Sequence, residues 1–172
     1  MAPLGEQPSI CCECLFADPI ADIAVLGSPD DQELSEQADA YDAFTDAATP
    51  LAISEPPSKP DTKELADLVE AGIKDGERWA SRECRALLLS LSNKWFTCRI
   101  RHAPDGMLMI LDAAEGIAGG MSGSPILAED GTAIGVICLG SGNHGDLPTE
   151  GGPNPRLIGN LPVWFLKALQ FG

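Results

Sequence analysis

Short apolar runs, one of which (Trp95 to Arg101) alternates with polar residues, are separated by turn-forming residues from Arg85 onward. Ala86-Leu87-Leu88-Leu89-Ser90-Leu91 is interrupted by Ser92-Asn93-Lys94 and returns through Trp95-Phe96-Thr97-Cys98-Arg99-Ile100, which predicts two antiparallel strands around a turn. Met107 to Leu111 predicts the next strand. Ile126-Leu127-Ala128 and Ala133 to Leu139 flank Glu129-Asp130-Gly131-Thr132, and an Asp-Gly pair between two β-rich runs predicts a hairpin. Nearer the start, Ile10 to Leu26 predicts two strands joined by Ala17 to Ala21. The strands are short, turn signals recur at about ten-residue spacing, and a single helix closes the chain, so the expected fold is all-β, mainly antiparallel, of the Greek-key barrel type.

The middle of the chain breaks this pattern. Residues 30–77 hold 14 acidic side chains against 3 lysines, which is −11 of the chain's formal −15, and include Pro56-Pro57-Ser58-Lys59-Pro60. A stretch so rich in charge and so poor in β-branched residues predicts an acidic linker or insertion, helical or disordered, rather than sheet. Surface helices are expected over Asp30 to Phe44 and Thr62 to Ile73, with Pro29 after Ser28 at the first helical position. The expected organisation is therefore residues 1–28 as a small strand pair, 29–83 as the acidic linker, and 84–172 as a β-barrel with its closing helix.

Charge and cysteine usage narrow the function classes. A net charge of −15 disfavours nucleic-acid or anionic-membrane partners, which need clustered Lys and Arg, and favours solubility. No apolar run approaches the roughly 18–20 residues that cross a bilayer. Met1 is followed by no basic start or long apolar run, so a cytoplasmic location is expected. Cys11, Cys12 and Cys14 cluster, whereas Cys84, Cys98 and Cys138 are scattered, and no Cys-x-x-Cys spacing occurs. Neither a metal nor any other cofactor is expected, and free thiols are the default, with a Cys84 to Cys98 link the one pairing the hairpin would permit.

The candidate chemistry lies in Gly119-Gly120-Met121-Ser122-Gly123-Ser124-Pro125. A serine hydroxyl attacks a carbonyl when a base removes its proton and fixed donors hold the oxyanion that forms. Glycines around Ser122 permit a tight turn whose backbone N–H groups serve as those donors, with Gly120 and Ser122 the expected oxyanion hole. The nucleophile elbow of α/β-hydrolases is excluded: Gly-x-Ser-x-Gly must end in glycine before a helix, whereas here Ser124 precedes a strand.

Gly120-Met121-Ser122-Gly123-Ser124-Pro125, followed by a hairpin ending Gly135-Val136-Ile137-Cys138-Leu139-Gly140-Ser141, resembles the nucleophile loop and following strands of trypsin-like serine peptidases of the chymotrypsin fold, especially the bacterial Deg-type branch. Asp18-Pro19-Ile20-Ala21-Asp22-Ile23-Ala24-Val25-Leu26 is similar to the segment carrying the catalytic aspartate of that branch, and Pro153-Asn154-Pro155-Arg156-Leu157 through Leu161-Pro162-Val163-Trp164-Phe165-Leu166-Lys167 resembles the closing helix. The resemblance implies a serine endopeptidase acting on peptide or protein substrates through an acyl-enzyme. It makes Ser122 the nucleophile, Asp22 the acid that orients an imidazole, and residues 1–28 the last strand pair of a partial first barrel. It also places Gly116, Ile117, Cys138, Leu139 and Gly140 at the substrate, with no acid at Gly116 to favour a basic side chain, so a small or medium apolar one is expected.

The family's histidine, which precedes the aspartate, is not found. Both histidines follow Asp22: His102 ends a predicted strand and is expected to be solvated there, and His144 lies in a Gly-Asn-His-Gly-Asp loop. The chain is therefore expected to lack the part carrying the base and to be weakly active or inactive. The alternative is a non-catalytic pseudo-peptidase that binds extended peptides as an added strand. A further reading takes the serine loop as an ordinary turn of a structural barrel. Because a lone strand pair is marginal in water, its apolar residues Leu15, Phe16, Ile23, Val25 and Leu26 predict packing on the barrel or association through exposed strand edges.

Overall fold

The computed structural model describes residues 1, 7–54, 83–103, 106–138 and 148–171. It divides into two compact units, one of residues 1–52 with 160–172 and the other of residues 53–159.

The first unit contains strands β1 (Glu13–Asp18) and β2 (Ile23–Gly27), which form a two-stranded antiparallel sheet. Its turn is built by side-chain chemistry. The Asp18 carboxylate Oδ1 accepts the N–H groups of Ile20 at 2.9 Å and Ala21 at 3.1 Å, and Asp22 takes a left-handed φ of 54°. Aspartate is among the few non-glycine residues that tolerate that region. In β2 the alternation is strict, with Ile23, Val25 and Gly27 buried and Ala24 and Leu26 exposed. Helix α1 (Ser35–Asp46) follows.

That helix begins five residues later than the sequence suggested. The Asp30 side chain accepts the Gln32 N–H at 2.8 Å and its carbonyl accepts the Leu34 N–H at 2.8 Å, so residues 30–34 close a turn before the helix starts. Pro29 is consequently outside the helix. The second expected helix, Thr62 to Ile73, lies outside the described residues.

The second unit is mostly antiparallel β. Its strands are β3 (Glu83–Leu89), β4 (Trp95–His102), β5 (Met107–Leu111), β6 (Pro125–Ala128), β7 (Ala133–Val136) and β8 (Gly151–Pro155). They hydrogen-bond in the order β7-β6-β3-β4-β5-β8, and an antiparallel bridge between Gly135 and Arg156 brings the two ends together, so the six strands form a nearly closed barrel. The Ser92-Asn93-Lys94 turn joins β3 to β4, with Asn93 at φ 59°. The β6–β7 turn is held by Asp130, which accepts both the N–H and the hydroxyl of Thr132, and the hydroxyl keeps its carboxyl below the ordinary range.

The barrel core includes Leu88, Ile100, Leu108, Ile110, Ile126 and Ile134 from β3 to β7, together with Met121 and Ile117 from the loop between β5 and β6. Gly135 makes closure geometrically feasible. A Cβ there would stand 2.6 Å from Leu108 Cδ1 and 3.0 Å from the Pro155 carbonyl, so β7 approaches β5 and β8 at a distance that only hydrogen allows.

Two expectations are corrected within this unit. His102 is 8% exposed rather than solvated, because the period of two in β4 puts it on the same inward face as Phe96, Cys98 and Ile100. The segment expected to belong wholly to a closing helix begins as strand β8. Helix α2 (Leu157–Asn160) follows β8, and helix α3 (Val163–Phe171) belongs to the first unit. Prolines are compatible with β8 because it is a terminal strand in the ladder order, where the missing N–H need not face a partner. All six cysteines are free thiols, including Cys84 and Cys98. No helix among the described residues is long and apolar enough to cross a membrane.

Candidate functional site

The loop from Gly116 to Ser124 connects β5 to β6 and is anchored from below. Met121 and Ile117 are buried in the core, the Ala118 N–H lies 3.2 Å from the Met121 sulfur, and the Met121 N–H donates to the Ala118 carbonyl at 3.2 Å. With its apolar side chains turned inward, the loop turns Ser122 outward, and that residue is exposed.

Gly120 has a φ of 99°, the left-handed region where a side chain would be strained. The turn is closed by the Ser124 N–H donating to the Met121 carbonyl at 2.9 Å. Beside it runs the chain leaving β7: the Gly123 N–H donates to the Ile137 carbonyl at 2.7 Å, and the Ile137 N–H donates to the Ser124 carbonyl at 2.9 Å. Among the described residues, the N–H groups of Gly120 and Ser122 make no backbone hydrogen bond, which leaves two donors in one exposed turn available to an acceptor.

The Ser122 hydroxyl donates to the Cys138 carbonyl at 3.4 Å. A peptide carbonyl accepts a hydrogen bond but does not remove a proton at neutral pH, so this arrangement orients the hydroxyl without activating it. Cys138 is half-buried. Its thiol donates to the Pro153 carbonyl at 3.2 Å and its N–H donates to Asn154 Oδ1 at 3.0 Å.

The other residues singled out in the sequence are distributed as follows. Gly116, at the start of the loop, is half-buried, while the Ile117 side chain belongs to the barrel core and its N–H donates to the Pro148 carbonyl at 2.8 Å. Leu139, Gly140 and His144 lie outside the described residues. Asp22 is exposed at the end of the β1–β2 turn, in the other compact unit from Ser122. The structure thus brings Gly120, Ser122 and Cys138 together within the barrel unit.

Asn154 was not singled out by sequence reasoning, although it is fully buried in β8 and bonded to the Cys138 backbone. Its signal was weak but present: a polar residue between Pro153 and Pro155, in a segment expected to belong to the closing helix. Among the described residues no group of three or more His, Cys, Asp or Glu side chains is placed to hold a metal ion. Comparisons with protein-family models, curated proteins and solved structures find no match to this chain.

Proposed function

We propose that this chain is a serine-peptidase-type protein of the trypsin-like class, with Ser122 as the nucleophile and the N–H groups of Gly120 and Ser122 as the oxyanion hole. The observation that carries the reading is the Gly120–Ser122 turn, which combines an exposed hydroxyl, a left-handed glycine and two backbone donors without backbone partners among the described residues. In the reaction Ser122 Oγ would add to a peptide carbonyl as its proton passes to solvent water, the carbonyl oxygen would take the negative charge facing those donors, and collapse of the adduct would break the C–N bond, the amine leaving with a proton from water as the acyl-enzyme forms. Asp22 is assigned the orienting role from its sequence motif.

The strand order adds support. Counting from β3, the order β6-β3-β4-β5 sets the fourth strand beside the first, which supports the Greek-key reading. The cysteine carbonyl as hydroxyl acceptor favours weak or absent turnover, because general-base assistance is worth roughly 10²–10⁴-fold. The same observation favours the second reading, a pseudo-peptidase that binds an extended peptide without cleaving it.

Fluorophosphonate treatment of the folded full chain, read by intact mass beside Ser122→Ala, tests the proposal. A slow single addition that disappears in the alanine variant is expected. Addition that persists in Ser122→Ala would overturn the assignment of the nucleophile. No addition to a demonstrably folded chain would remove the catalytic reading and leave the peptide-binding one.

A further inference from the structure

We propose that Asn154 is the positioning residue for the Ser122 loop, acting through the backbone of residue 138; the inference rests on the assignment of Ser122 as nucleophile. Strand β7 ends at Val136, so the two residues that contact the serine loop, Ile137 and Cys138, have left the strand ladder. Ile137 is tied to the loop on one side through Gly123 and Ser124. On the other side the tether is a side chain: Asn154 Oδ1 accepts the Cys138 N–H at 3.0 Å, and the Cys138 thiol lies 3.8 Å from the same oxygen.

The asparagine is itself held. It is 0% exposed, and its Nδ2 donates to the Gly151 carbonyl at 3.5 Å within the same strand. A buried amide with both ends bonded has a defined orientation, because rotating it would leave polar groups without partners in a medium that does not solvate them. The next group along the chain from the tethered N–H is the Cys138 carbonyl, which receives the Ser122 hydroxyl at 3.4 Å. A continuous set of contacts therefore runs from β8 through Asn154 and the Cys138 backbone to Ser122 Oγ. The acceptor that sets the serine hydroxyl is located by β8 as well as by the β6–β7 hairpin, and neighbouring supports of this kind keep a reacting group in productive geometry.

An apolar residue would fill the interior of a barrel strand as well as asparagine does; what it would not supply is an acceptor for the Cys138 N–H. Asn154→Leu and Asn154→Asp separate these roles, since the aspartate keeps an oxygen at the Oδ1 position. Both variants of the full chain are to be followed by residue-resolved amide exchange and by the rate of fluorophosphonate addition. In Asn154→Leu the amides of Cys138 and Gly123 are expected to exchange about tenfold faster or more, while the Leu88 and Ile100 amides in the β3–β4 ladder keep their protection. Addition at Ser122 is expected to slow by about tenfold in the same variant, and Asn154→Asp is expected to retain slow exchange at Cys138.

Unchanged protection of Cys138 and Gly123 in a folded Asn154→Leu chain would overturn the proposal. So would an equal loss across the β3–β4 ladder in both variants, which would mark a purely structural role. If the unmodified chain takes no fluorophosphonate, the functional reading fails by that arm alone, and the exchange arm still decides whether Asn154 positions the loop.

Discussion

The β1–β2 and β3–β4 hairpins are built from similar material and end in different states. Both are antiparallel, both carry several apolar residues, and both have an aspartate or asparagine in the left-handed region at the turn, Asp22 in one and Asn93 in the other. In the barrel, β3 is flanked by β4 and β6 and β4 by β3 and β5, so each has partners on both edges. In the hairpin each strand has one partner, and β1 leaves Glu13, Cys14, Leu15 and Ala17 exposed. Apolar content alone therefore does not determine burial. Sheet partners matter but do not decide it by themselves: β2, with one partner, still buries Ile23, Val25 and Gly27, whereas β1 buries none of its six residues.

The largest expected effect comes from making the same substitution on each side of this contrast. Ile100 in β4 is 0% exposed, whereas Ile20 in the β1–β2 turn is 94% exposed. Ile100→Ala removes buried methyl groups and leaves a cavity in the barrel, which costs about 2–5 kcal/mol. Ile20→Ala is expected to change stability by less than about 0.5 kcal/mol. Urea titration of the two variants, followed by circular dichroism, checks both values, and comparable losses would break the contrast.

A smaller effect is expected where the barrel closes. Gly135→Val adds a side chain where Leu108 Cδ1 and the Pro155 carbonyl already crowd the Cβ position, and overpacking of this kind costs about 1–3 kcal/mol. Because the crowding lies between β7 and the β5–β8 edge, faster amide exchange should appear first in β7 and β8 and leave the β3–β4 pair protected. An unaltered exchange pattern would mean that the bridge between Gly135 and Arg156 contributes nothing to holding the barrel together.

Where neighbouring residues decided the outcome, the sequence was legible. The β3–β4 and β6–β7 hairpins could be located because turn chemistry at Ser92-Asn93-Lys94 and at Asp130-Gly131 lies between two β-rich runs in each case. The alternation in β4, carried two residues beyond Ile100, places His102 inside; the expectation of a solvated residue rested on the turn-forming residues Pro104-Asp105-Gly106 that follow it in the sequence. Strand β8 was illegible for a physical reason. Two glycines and two prolines in Gly151–Pro155 carry no β-propensity, and the segment is a strand because β5 pairs with it. The exposed serine and its glycine turn could be read from the motif, but the Asn154 contact could not, since it joins residues 16 positions apart across strands whose pairing no local signal encodes.

The thiols sharpen the comparison with the smallest perturbation of neutral-pH stability. Cys11 and Cys14 are exposed in the hairpin unit, whereas Cys98 on the inner face of β4 is 3% exposed. Burial, assisted by the neighbouring Cys84, pushes the Cys98 thiol up to about 12. A three-unit rise lowers the thiolate fraction near pH 8 by about a thousandfold, so alkylation of Cys98 should lag far behind that of Cys11 and Cys14 even before its access is considered. The folded chain holds this proton more tightly than the unfolded chain does. Its contribution to stability is accordingly complete below pH 9.0, the ordinary thiol value, and is lost as pH rises from there through about 12. The slope from this one group is at most about 1.4 kcal/mol per pH unit. Other groups also ionise at high pH, so the informative quantity is the difference between the unmodified chain and Cys98→Ala, whose stability should fall less steeply above pH 9. Parallel pH profiles, or equal alkylation rates for Cys98 and Cys14 by peptide mass, would mean that the inner face of β4 opens to water as readily as the hairpin does.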